Sequence, residues 1–144
     1  MAENIKELTA GLKDAANKAH LAKDQEEYEK YYDLFFEKLD LLENELKGKR
    51  FLNGDAFSEE DIALYDILVN WNTVWFFAFR LNRNRLEDFE ELWRYARDIY
   101  RNEGGRERTD FEKIKFDYYS ALDDVRNPYH IIPIGPDTEI WESA

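Results

Sequence analysis

The sequence contains no cysteine. Disulfides, thiolate nucleophiles and cysteine-ligated metals are therefore excluded from these residues. Histidine is nearly absent as well, with only His20 and His130 present. Neither stands in the His-x3-His or Glu-x-x-His spacing that a metal site needs. Neither sits in a recognisable nucleophile–base motif. Both read as ordinary surface or packing residues, and no cofactor or metal is expected. Adjacent acids such as Glu59/Glu60 and Glu90/Glu91 diverge by about 100° on a helix, so they read as solvated faces rather than acid–base pairs.

Turn residues are also scarce, at 3 Pro and 6 Gly. That leaves little material for loops and points to helices with short connections. No segment shows a strand pattern strong enough to count. Long apolar runs are missing too. The longest, Val74 to Phe79, stops at Arg80, far short of the roughly 20 residues that span a bilayer. No apolar stretch follows Met1-Ala2-Glu3, so no leader and a cytoplasmic location are expected. Positive charge is outnumbered, at 20 Lys and Arg against 32 Asp and Glu, a net −12. Such a surface repels phosphate backbones and anionic lipid, so neither nucleic acid nor membrane is an expected partner.

What remains is 144 residues, 44% hydrophobic and 16% aromatic. That suffices for a core and argues against disorder. The expectation is one all-α domain over residues 1–144, with a helical body over about 4–121 and an extended tail over about 122–144. Ile5, Leu8, Leu12, Ala15 and Ala16 predict a helix from Asn4 to Lys18. Tyr28, Tyr31, Tyr32, Phe35, Leu39, Leu42 and Leu46 predict a long one over Asp24–Lys47, capped by Asp24 and stopped by Gly48. Ser58 and Asp61 form a capping box before a run that is apolar on nearly all sides. That run predicts a central buried helix ending near Asn82. A fourth helix follows, with Asp88 and Glu91 as its capping pair and Gly104-Gly105 as its stop. Thr109 with Glu112 opens a fifth. The tail holds all three prolines, and its Ile131, Ile132, Ile134 and Trp141 are expected to lie along the body.

Several segments carry a family likeness. Arg50-Phe51-Leu52-Asn53-Gly54-Asp55 followed by Ser58-Glu59-Glu60-Asp61-Ile62-Ala63-Leu64 resembles the capping-box region of the all-helical C-terminal domain of glutathione transferases. Phe79-Arg80-Leu81-Asn82, Leu92-Trp93-Arg94-Tyr95 and Arg97-Asp98-Ile99-Tyr100 resemble one branch, the xi-class glutathionyl-hydroquinone reductases. So do Phe111-Glu112-Lys113-Ile114-Lys115, Tyr118-Tyr119, Asn127-Pro128 and Ile131-Ile132-Pro133-Ile134-Gly135-Pro136. The likeness covers about residues 5–141 and implies a helical bundle of about five helices around a central one. In that family a thioredoxin-like domain precedes this one and holds glutathione and the nucleophilic cysteine. Trp75, Tyr118 and Tyr119 match positions lining or flanking the aromatic substrate site, so they are the candidate ligand-binding residues. Departures stand at Asn17-Lys18 for a Tyr-Lys pair, at Leu81 for a cysteine, and at Ala121-Leu122 for a Ser-His.

These departures, with Asn17, Asn70, Asn72 and Asn84 read as solubilising choices, lead to an expectation of a redesigned stand-alone domain with no catalytic activity. The alternatives are a protein-interaction or aromatic-ligand-binding module and, last, a fragment of a glutathionyl-hydroquinone reductase. The expected partner surface is the face that would dock a thioredoxin-like domain, which could equally serve self-association.

Overall fold

The computed structural model describes residues 5–143. Among the described residues the secondary structure is helical, apart from isolated bridges pairing Phe51 with Gly54 and Asn53 with Ala56. The first two helices, α1 (Ile5–His20) and α2 (Gln25–Glu45), form an antiparallel hairpin. Leu8, Leu12, Ala15 and Ala19 of α1 meet Phe35, Leu39 and Leu42 of α2 in the core. The Asp24 carboxylate accepts from Glu27 N at 2.8 Å, capping α2 as the sequence predicts. Gly48, at φ +75°, reverses the chain after it.

The central helix departs from expectation in two ways. It is α3 (Glu59–Asn70), then a π-turn (Trp71–Trp75), then a short α4 (Phe76–Ala78). In the π-turn Phe76 N donates to Trp71 O, five residues back. The cause lies in Trp71, which is fully buried against Phe35, Phe36 and Phe89. Its indole Nε1 donates to Leu81 O at 2.9 Å, so the chain turns back at 79–81 instead of running on to Asn82. Nor is this helix buried all round. Ala63 is exposed, and Glu60, Asp66 and Asn70 border a cleft against α1.

The capping box does form, and its carboxylate does more than cap. Asp61 is wholly buried. It accepts from Ser58 N at 2.9 Å, Ser58 Oγ at 3.1 Å, Leu52 N at 3.0 Å and Tyr95 Oη at 2.8 Å. One side chain thus joins the 51–58 connection, α3 and α5 (Glu90–Asn102).

Other expected caps are replaced. Glu43 of α2, not Asp88, takes the free N–H groups of α5, at 2.9 Å from Glu91 N and 2.7 Å from Leu92 N. Asp88 instead accepts from Arg85 N at the start of a 3-10 turn, Leu86–Asp88. Gly104, at φ +81°, ends α5, and a short α6 (Gly105–Arg108) follows that the sequence reading missed. Asp110, not Thr109, caps α7 (Phe111–Ser120), accepting from Lys113 N at 3.0 Å. The Thr109 hydroxyl pairs with Tyr65 Oη at 2.7 Å.

The tail is held at points rather than along its length. Trp141 is fully buried, its ring against Tyr65, Trp93, Tyr100 and Phe111. Arg106 and Tyr100 grip Glu142 at 2.7–2.8 Å and hold its carboxyl down to about 2. Buried Lys115 donates to Ile134 O at 2.7 Å. Ile131 and Ile134 point outward, 63% and 96% exposed, contrary to the expectation that they lie along the body.

Two outcomes are expected. Asp61→Ala strands several buried donors at about 1–3 kcal/mol each, so urea unfolding will show a loss of about 3 kcal/mol or more; Asp61→Asn, keeping one acceptor, will lose less. Burial pushes Tyr65 up to about 12, and burial with the Asp61 carboxylate raises Tyr95 further. Unfolded tyrosine ionises near 10, so the stability these groups supply is intact below pH about 10 and lost as pH rises through the folded values. Melting temperature will fall above pH about 10, less steeply in Tyr95→Phe.

Candidate functional site

The end of α1, the π-turn with the turn after α4, and the end of α7 bring five rings together. Trp75 and Phe79, one helical turn apart, stack with centroids 5.6 Å apart and planes at 6°. Phe79 also stacks on His20, at 4.0 Å and 14°. Tyr118 presents its edge to both, at 5.8 Å from Phe79 and 6.2 Å from His20. Tyr119 packs perpendicular to Tyr118 at 5.0 Å. Ring pairs in these arrangements each contribute about 0.5–1.5 kcal/mol beyond burial.

The cluster separates two clefts. His20, Tyr118 and Tyr119, with Ala78, Arg80, Leu122 and Arg126, line one of about 320 Å³. Trp75 opens on the other, about 490 Å³, between α1 and α3. The structure therefore joins Trp75 and Tyr118 through Phe79 but turns them to different sides. Tyr119 is 8% exposed and also borders a pocket beneath the tail with Thr73, Phe76 and Pro133. Ser58 and Asp61 border neither cleft; their part is to fix α3.

The electrostatics favour neutral donors. Burial, then Arg126 and Arg80, lowers the His20 pKa, so the imidazole is uncharged at neutral pH. Burial raises the Tyr118 pKa although the same arginines oppose the shift, so its hydroxyl keeps its proton. Among the described residues that hydroxyl has no hydrogen-bond partner.

Arg80 has left-handed backbone, φ +57°. This is the position after a helix that glycine usually fills. Phe79 N and Leu81 N both turn back to Trp75 O. The Arg80 carbonyl accepts from Tyr28 Oη, and its guanidinium lies over the Tyr28 ring.

Sequence reasoning gave His20 only a surface or packing role and assigned no site role to Phe79 or Arg80. The four-residue spacing of Trp75 and Phe79 was a visible signal for a ring pair. The place of His20 depends on how α1 meets α7, which no local pattern encodes. The solubilising reading of Asn72 is also corrected, since its amide nitrogen is buried without a partner among the described residues. Among these residues no group of three or more His, Asp or Glu could hold a metal. No helix among them is long and apolar enough to cross a membrane.

Residues 25–98 match the family described as glutathione S-transferase, C-terminal domain. The chain belongs to that family. It is 35% identical over 136 residues to glutathionyl-hydroquinone reductase YqjG of Escherichia coli, covering 92% of this chain and 41% of that protein. It is 31% identical over 125 residues to glutathionyl-hydroquinone reductase PcpF of Sphingobium chlorophenolicum, covering 87% and 40%. A glutathione transferase structure from Gordonia bronchialis superposes with a TM-score of 0.87 at 34% identity, covering 96% of this chain and 44% of that one. The glutathione-bound structure of YqjG gives 0.81 at 33%, covering 93% and 45%. The chain thus spans about two fifths of the length of the curated relatives it matches.

These relatives overturn the expectation of a redesigned domain with no catalytic activity. Proteins that match nearly all of this glutathione S-transferase C-terminal domain are named as enzymes. The reading placed last, a reductase part, is the one they favour. The absence of a nucleophile and a base from these residues does not imply the absence of function.

The left-handed Arg80 gives a test of the local geometry. A non-glycine residue there costs about 1 kcal/mol, so Arg80→Gly will leave the chain as stable or about 1 kcal/mol more stable in urea unfolding. A loss beyond that range would mean that the Arg80 side chain holds the turn.

Proposed function

We propose that the chain forms the helical, substrate-side part of a glutathione-dependent reductase acting on glutathionyl-hydroquinones. The observation that carries this is the stack of Trp75, Phe79 and His20 edged by Tyr118, whose hydroxyl has no hydrogen-bond partner among the described residues. A flat quinol ring fits an aromatic wall of this kind, and such sites are mostly apolar with few polar groups. Tyr118 is the group placed to donate a hydrogen bond to a ring oxygen. Neutral His20 adds a ring face without a charge that would hold water. Tyr119 supports Tyr118 from behind.

The reducing thiol must come from outside these residues, since they hold no cysteine. The family's thioredoxin-like domain supplies it in this reading. The cleft between α1 and α3 is where that domain would seat, with Ala10, Ala63 and Ile67 as its apolar floor and Lys6, Lys13, Glu60 and Asp66 around it. Trp75 borders that cleft, so one edge of the ring stack faces the side from which the thiol arrives.

Joining the thioredoxin-like half of the YqjG relative to residues 1–144 tests the reading. The hybrid will consume a glutathionyl-hydroquinone with glutathione faster than the thioredoxin-like half alone. Tyr118→Phe will lower kcat/KM about tenfold, the worth of one hydrogen bond to substrate, and Trp75→Ala will raise KM. A folded hybrid no faster than the thioredoxin-like half alone would refute it.

A further inference from the structure

The cleft that holds His20 and Tyr118 carries two guanidinium groups and no carboxylate on its lining. That is unexpected in a chain with 32 acidic against 20 basic residues. The two arginines come from separate segments, Arg80 from the turn after α4 and Arg126 from the start of the tail. Arg80 makes no ion pair among the described residues; its guanidinium rests over the Tyr28 ring, 5.8 Å from the centroid. Arg126 has one carboxylate within reach, Asp123, at 3.5 Å. The Asp123 Oδ1 accepts from Val125 N and Arg126 N, at 3.2 and 3.0 Å, and its Oδ2 accepts from one Arg126 guanidinium nitrogen, at the long distance of 3.5 Å, leaving the other guanidinium N–H donors unused by it. Both guanidinium groups therefore keep N–H donors for something in the cleft.

The backbone adds an independent observation. Arg80 occupies a left-handed conformation that glycine adopts without strain. An unfavourable backbone at a cleft is grounds for a hypothesis of function. Local packing accounts for little of the choice, since the Arg80 side chain is exposed, its one ring contact is with Tyr28 at 5.8 Å, and Tyr28 Oη bonds its carbonyl, which any residue has.

We infer that this cleft selects aromatic ligands that carry a carboxylate, the ring lying against His20 and Tyr118 and the anion between Arg80 and Arg126. The inference rests on the aromatic-site reading above and adds the charge of the ligand. Planar guanidinium groups suit this work because they match a carboxylate with paired N–H donors. A cleft with low-dielectric walls focuses their field. The neutral imidazole does not compete for the anion. The acidic remainder of the surface makes a local positive site more selective, because anions are repelled elsewhere.

Calorimetric titration of the chain with 2-naphthoate and with 2-naphthol, at pH 7 and low salt, tests this. The two probes share a ring system and differ in charge. The parent chain is expected to bind naphthoate about tenfold more tightly than naphthol. Arg80→Gly combined with Arg126→Gln will bring the two affinities within about twofold of each other, chiefly by weakening naphthoate. The Arg80→Gly change relieves backbone strain, so a folding defect will not mimic the loss, and a thermal melt of the variant checks this. Arg80→Lys will keep part of the preference. Equal affinities in the parent, or a preference that survives in the double variant, would overturn the inference and leave the aromatic site standing. Binding of neither probe to the parent would overturn both.

Discussion

A single buried carboxylate holds much of this fold in register. Asp61 lies one turn into α3 and accepts from the connection before it, from its own helix start and from Tyr95 on α5. A buried acid is tolerable only when its acceptor positions are filled, and here four donors fill them. Its position fixes the start of α3, and so the angle at which the later turns reach the ring cluster. Glu43 repeats the device at the next interface, where it satisfies the first N–H groups of α5 from a neighbouring helix.

Downstream of these anchors, the shape of the site follows from Trp71. Its buried ring and the indole bond to Leu81 O need one extra residue in the helical turn. The π-turn supplies it. The chain then closes at 79–81, which sets Phe79 against His20 and leaves Arg80 at the cleft. Such turns inside helices often mark functional sites. Here the reason is geometric, because the widened turn brings Trp75 and Phe79 into one stack facing the ends of α1 and α7.

The parts of this arrangement that were legible in sequence are those fixed by local chemistry. Asp24, Ser58, Gly48 and Gly104 act where their residue types predict. The start of α5 was not legible, because its cap comes from Glu43, 48 residues away from Glu91. The end of the central helix was hidden for a similar reason: Val74 to Phe79 is uniformly apolar, and nothing in that run shows where a widened turn falls. The outward Ile131 and Ile134 misled for the opposite reason, since apolar residues in a proline-rich tail carry no periodicity that tells inside from outside. At the site, family likeness marked Trp75, Tyr118 and Tyr119, while His20 and Arg80 became visible only through the packing of distant segments.

In the proposed function this chain is a wall that would bind and orient an aromatic substrate, while the reducing thiol would arrive from elsewhere. Its energetics are those of stacking, one free tyrosine hydroxyl and a cleft with positive charge at its rim. The most direct test is an amide NMR titration of the chain with a glutathionyl-hydroquinone. The largest shifts are expected at residues 17–20, 75–80 and 118–119. Shifts centred elsewhere, or none at saturating ligand, would contradict the proposed function.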